Sequence, residues 1–283
     1  MLGNYLIGLR EGLEAALVVS ILMVYLQRTD RKPLMRWVWY GVSSAVVVSI
    51  FVAIGLQSIS EELGDKLAEI FAGTVSFIAV AFVTWMIFWM KKSARTISTD
   101  LRNALDKAAV TGGQLAVAVM AFIAVVREGA ETAIFYWAAS QATGNASASL
   151  FGLTIGLATA VVMGWAIYRS SASINLPKFF KVTGVLLVFV AAGVMSYGIH
   201  EFQEVGWLPG EENVVLNLST WLPEGSVFTT LVAGIFNISA KTTAVQAIAY
   251  LSYVAVVLYL FLKPQDSKPF SRTKKSEPSL VSK

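Results

Sequence analysis

Long apolar stretches alternate with short polar ones along this chain. Seven apolar stretches stand out, over about 4–26, 38–60, 68–90, 114–140, 148–168, 180–203 and 234–262. A membrane-spanning helix needs about 20 such residues, so the pattern predicts seven spans. The polar connections alternate in charge. The first holds Arg28, Arg31, Lys32 and Arg36, and the third Lys91, Lys92, Arg95, Arg102 and Lys107. Arg169, Lys178 and Lys181 sit in and beside the fifth. The second carries Glu61, Glu62, Asp65 and Glu69 against Lys66 alone, the fourth ("QATGNASAS") is uncharged, and the sixth has five glutamates and no Lys or Arg. Basic loops stay in the cytoplasm. The expected fold is therefore an all-α polytopic membrane protein with seven transmembrane helices, its N-terminus outside and its C-terminus inside.

Composition agrees. Of 283 residues, 56% are hydrophobic and 14% charged, against about 25% charged in soluble domains. With no cysteine, disulfides and thiolate ligands are excluded. The net charge of +4 comes from the loops and gives no reason to expect nucleic acid as a partner. The division expected is a transmembrane domain over 1–262 and a disordered basic cytoplasmic tail over 263–283, whose lysines and arginines meet anionic lipid. The first stretch has no basic start and is interrupted by charge, so it reads as a retained membrane helix rather than a cleaved leader.

That interruption is the feature to explain. "LIGLREGLEAALVVSIL" places Arg10, Glu11 and Glu14 inside the first span, and "AFIAVVREGAETAIFYWAA" places Arg127, Glu128 and Glu131 inside the fourth. Both read R-E-G-x-E. Three spans separate the copies, which makes their helices antiparallel and predicts a 3+3 inverted repeat with the seventh span extra. Transporters of that kind bind substrate near the midplane, at the repeat interface. On a helix, residues three and four apart share a face, so each motif offers two carboxylates and an arginine that can hold one of them. A charge at mid-bilayer costs about 2.5–3.5 kcal/mol on insertion scales, so these six must face one another or water. Four carboxylates and two guanidiniums leave two negative charges over. The site asks for a cation, and its all-oxygen donors suit a hard one: ferric iron fits, and ferrous iron, manganese and calcium are allowed.

"REGLEAALVV" and "REGAETAIF" resemble the paired R-E-x-x-E motifs of the oxidase-dependent iron permeases, and the resemblance extends over nearly the whole chain. It implies an iron permease of the cell membrane, multi-pass and not an enzyme. Iron would be the transported substrate rather than a bound cofactor, with Glu11, Glu14, Glu128 and Glu131 as its ligands and Arg10 and Arg127 in support. It also implies an extracytoplasmic oxidase partner: a multicopper oxidase, or a cupredoxin-type protein with a haem peroxidase. On residues alone, a carrier of another divalent cation, or a proton-coupled carrier using the same glutamates, stays open. A second acidic group is expected to receive iron at the outer face: Glu69 at the start of the third span, with His200, Glu201 and Glu204 at the end of the sixth. Trp85 and Trp89 read as interfacial anchors.

Overall fold

The computed structural model describes residues 1–93, 103–105, 107, 113–170, 175–217 and 241–263. Among these are seven long α-helices: α1 (Leu2–Arg28), α2 (Met35–Glu62), α3 (Asp65–Ser93), α4 (Gly113–Thr143), α5 (Ala146–Ser170), α6 (Leu176–Glu204) and α7 (Ala244–Leu262). A two-stranded antiparallel ribbon, β1 (Val214–Asn217) with β2 (Lys241–Thr243), precedes α7. Five of the helices are long and apolar enough to cross a membrane; the other two, α1 and α4, carry the charged motifs. The chain is thus an all-α polytopic membrane protein in outline. The tail expected to be disordered lies, beyond Lys263, outside the described residues.

The first six predicted stretches became helices lengthened by about a turn or less at each end. The seventh is corrected: α7 starts at Ala244, not near 234. Thr243 accepts a hydrogen bond from the Gln246 amide, and the Gln246 side chain accepts one from the Thr243 amide at 2.7 Å. This reciprocal cap fixes the helix start, and pairing of Val214 with Thr243 holds the chain before it as a strand.

Close approach at glycines sets the packing. α1 and α5 run parallel: Gly152 lies against the Met1 carbonyl, Gly156 against Tyr5 and Leu9, Gly12 against Leu157 and Ala160, and Gly164 against Ala16. A Cβ on Gly156 would fall 2.7 Å from the Leu9 amide nitrogen, so only glycine fits. α2 and α4 run parallel in the same manner, with Gly41 against the Ala118 carbonyl and Gly129 against Ser49. Further along, Gln141 Nε2 donates to Ser60 Oγ. Between α4 and α5 the chain reverses sharply. Gly144 takes φ 62° and donates back to Ser140, and Asn145 Oδ1 accepts from the Ala148 amide to start α5. α4 is therefore antiparallel to α5, and so to α1.

α3 and α6 pack antiparallel, Gly73 meeting Phe202 and Gly198 meeting Ser76 and Phe77. α7 lies on α6 and touches α3, where Thr84 and Tyr253 hydroxyls share a 2.7 Å hydrogen bond. Lys91 from α3 donates to the Phe261 and Lys263 carbonyls at the end of α7, a position where positive charge is favoured. The main core gathers α1, α3, α4, α6 and α7 around Leu13, Ala138 and Val188. The outward faces of α2 (Val47, Phe51) and α5 (Phe151, Val161, Trp165) are exposed and apolar, a surface for lipid rather than water.

Candidate metal site between α1 and α4

Each motif presents its acids by helical spacing alone, and the contact between α1 and α4 turns the two sets toward each other. One carboxylate oxygen each from Glu11, Glu128 and Glu131 lies within 4.8 Å of the other two. Glu11 and Glu128 are buried and Glu131 half-buried. Glu14, also buried, is drawn to Arg10, whose Nε sits 3.3 Å from its Oε1. Arg127 Nε donates to Glu131 Oε1 at 2.9 Å and lies 3.9 Å from Glu128. The sequence treats the four glutamates as equals. The structure gathers three of them and holds the fourth on its arginine, still close enough to Arg127 and Glu131 for electrostatic interaction.

This arrangement is not self-sufficient. Both oxygens of Glu11, Oε1 of Glu14 and Oε2 of Glu128 are buried without a hydrogen-bond partner, as are Arg10 Nε and Nη1 and Arg127 Nη2. Buried polar groups are rarely left so. Two carboxylates at this spacing repel by about 3–4 kcal/mol at an effective dielectric near 20, and a bound cation reverses the sign. An apolar cavity of about 380 Å³ adjoins the cluster. Glu11, Gly12, Glu128 and Gly129 form its floor, and its walls rise along α2 to Ile54 and along α5 to Leu150. Thr132 and Tyr136 bring two hydroxyls to it.

The second acidic group stands apart. Gly3 of α1 packs on Val190 of α6, and α6 runs against α3, whose Trp89 end lies at Arg127 and whose Glu69 end lies at Glu201. Glu11 therefore lies to one side of that contact and Glu201 to the other, roughly 25–30 Å apart at 1.5 Å per residue. At that far end Glu201 is buried and accepts from the Tyr197 hydroxyl, with Glu69 and Glu204 as neighbouring charges. His200 Nε2 pairs with Glu204 Oε1 at 3.2 Å, both largely exposed. Glu69, His200, Glu201 and Glu204 thus share one end of α3 and α6, and the central cluster lies elsewhere.

Sequence reasoning missed three features. Trp89 lies under Arg127, its ring centroid 4.8 Å from the guanidinium carbon. Ser49 occupies the place where a Cβ on Gly129 would go. A buried amide network ties α6 to α7: Gln203 Oε1 accepts from Thr243 Oγ1, and Gln246 Nε2 donates to the Ser196 carbonyl. Only the last left a local signal, a threonine followed three residues later by glutamine.

A bundle of long apolar helices with an acidic cluster between two charged motifs defines a membrane protein that handles cations. Comparison gives the family. The description "Iron permease FTR1 family" matches residues 1–265. The chain is 37% identical over 265 residues to the ferrous iron permease EfeU of Escherichia coli O6:K15:H31 (strain 536 / UPEC), covering 92% of this chain and 95% of the relative. Against the ferrous iron permease EfeU of Yersinia pestis it is 36% identical, over 93% and 94%. No solved structure matches. The chain belongs to the FTR1 iron permease family, a family of iron transporters.

Proposed function

We propose that this protein carries iron inward across the cell's inner or plasma membrane, and that Glu11, Glu128 and Glu131 hold the ion in transit. The observation that carries the reading is the meeting of three carboxylates from two antiparallel helices, several of their oxygens without a protein partner. Glu14, held on Arg10, lies beside the set as its fourth acid. Arg10 and Arg127 orient the acids paired with them, and their two positive charges reduce the cluster's excess negative charge. Apolar walls around the site strengthen each of these interactions.

Packing symmetry supports the inverted repeat. Shifting by 117 residues carries Glu11 onto Glu128 and Met1 onto Ala118; shifting by 111 carries Gly41 onto Gly152. Gly41 meets the Ala118 carbonyl, and Gly152 meets the Met1 carbonyl. The two contacts are thus the same contact made twice. In this reading all seven helices span, three plus three with α7 added, the N-terminus faces outward and the basic loops face the cytoplasm. Glu69, His200, Glu201 and Glu204 then lie at the outer face, where acidic charge concentrates cations. An extracytoplasmic oxidase, of the cupredoxin, haem peroxidase or multicopper type, would deliver iron there.

Uptake of radiolabelled iron tests the reading, in cells lacking other iron importers and at matched membrane abundance. Glu11→Gln and Glu128→Gln should each lose at least ten-fold in uptake while inserting normally. Full uptake by both would reduce the cluster to a structural lock.

A further inference from the structure

The two arginines occupy equivalent places in the repeated motif, yet the structure treats them differently. The Arg10 side chain is 1% exposed and that of Arg127 is 38% exposed. Arg10 is enclosed by packing, so its position is set by the bundle around it. Arg127 has open space beside it and needs something else to hold it. That support is the indole of Trp89, one turn before the end of α3, with its ring centroid 4.8 Å from the guanidinium carbon. Among the described residues no ring lies over Arg10. A guanidinium over an indole face is the most favourable cation–π pairing a protein side chain offers. Stacking leaves the guanidinium edge free to donate, and Nε of Arg127 does so to Glu131 at 2.9 Å.

We infer that Trp89 is a positioning residue of the metal site: by carrying Arg127 it holds Glu131 in place beside Glu11 and Glu128. The inference rests on the carboxylate reading above and extends the site to α3, which bears no part of the motif. It also separates the two halves of the site. In the α1 half, Glu14 is fixed by a buried arginine. In the α4 half, Glu131 hangs on a part-exposed arginine that rests on Trp89. Trp85, whose ring centroid lies 6.3 Å from that of Trp89, is exposed and, among the described residues, has no cation over its ring; it serves as the internal control.

Iron uptake measured against iron concentration, at matched membrane abundance, tests this with Trp89→Leu, Trp89→Phe, Trp85→Leu and Glu131→Gln. Loss of a stacking contact of this kind is worth about five- to thirty-fold in binding. Trp89→Leu should raise KM by about that factor, and Trp89→Phe, which keeps a ring face under the guanidinium, should restore most of it. Trp85→Leu should leave KM unchanged. In a Glu131→Gln background, Trp89→Leu should add nothing further, because the side chain it positions has already lost its charge. An unchanged KM in Trp89→Leu, or an equal rise in Trp85→Leu, overturns the inference while leaving the carboxylate site standing. Wild-type uptake by Glu131→Gln would instead sink the reading on which it rests.

Discussion

Gly129 sits inside the second motif, and its replacement by alanine offers a worked test of how that motif is seated. A Cβ built there would overlap Ser49 Oγ and lie 2.7 Å from Ser49 Cβ. Carbon atoms pack best at about 3.5–4.0 Å, so α2 and α4 would have to part by about 1 Å. Ser49 cannot easily turn away, because its hydroxyl donates to the Ala45 carbonyl at 2.8 Å along its own helix. Overpacking of this kind costs about 1–3 kcal/mol, less the part of about 1 kcal/mol that alanine regains over glycine in a helix. The net loss expected is up to about 2 kcal/mol, or at most several degrees in Tm for a chain of this size. Ser49→Gly removes both clashing atoms, and alone it costs about 0.5 kcal/mol through helix propensity. The pair Gly129→Ala with Ser49→Gly should therefore unfold near the Ser49→Gly temperature, not at the sum of the two losses. Thermal unfolding of purified protein in detergent reads all four species. Strict additivity of the two substitutions in the pair would refute the contact.

Other substitutions probe the remaining joints. Gly156→Ala, which drives a Cβ into the α1 backbone at Tyr5 and Leu9, should destabilise by about 1–3 kcal/mol, whereas Gly55→Ala, with open space around it, should raise Tm slightly. Arg10→Met leaves Glu14 buried beside an uncharged neighbour and should cost about 3–5 kcal/mol, with Glu14→Gln added in the same chain recovering much of it; yield and unfolding temperature check both. Gln246→Leu deprives the Thr243 amide and the Ser196 carbonyl of their partner and should cost about 1–3 kcal/mol, read as earlier unfolding and faster proteolysis near the start of α7.

Among the described residues, the approximate bounds of the long helices were legible because a membrane helix writes its length directly as an apolar run. The six charges were legible as a candidate site for the same reason: nothing in lipid tolerates them singly. What the sequence hid was mostly contact. Glycines 8, 152 and 156 read locally as ordinary apolar-helix residues, and only their juxtaposition shows α1 and α5 locked together. Trp89 was legible as an aromatic near a span end, but the ion it carries comes from another helix. The start of α7 was misread because residues 234–243 are apolar enough to extend a helix, while the cap that halts it depends on two side chains, Thr243 and Gln246. Glu14 looked equivalent to Glu131 because spacing cannot tell how deeply each arginine is buried.

The central claim is that the acids of α1 and α4 form one site, and direct iron binding to purified protein tests it most closely. Binding stoichiometry and affinity would be compared for wild type, Glu11→Gln, Glu128→Gln and the double variant. A shared site predicts that wild type binds one ion there, that either substitution loses most of the affinity, and that the second adds little. Two ions bound independently, with each substitution removing one and leaving the other untouched, would contradict the account.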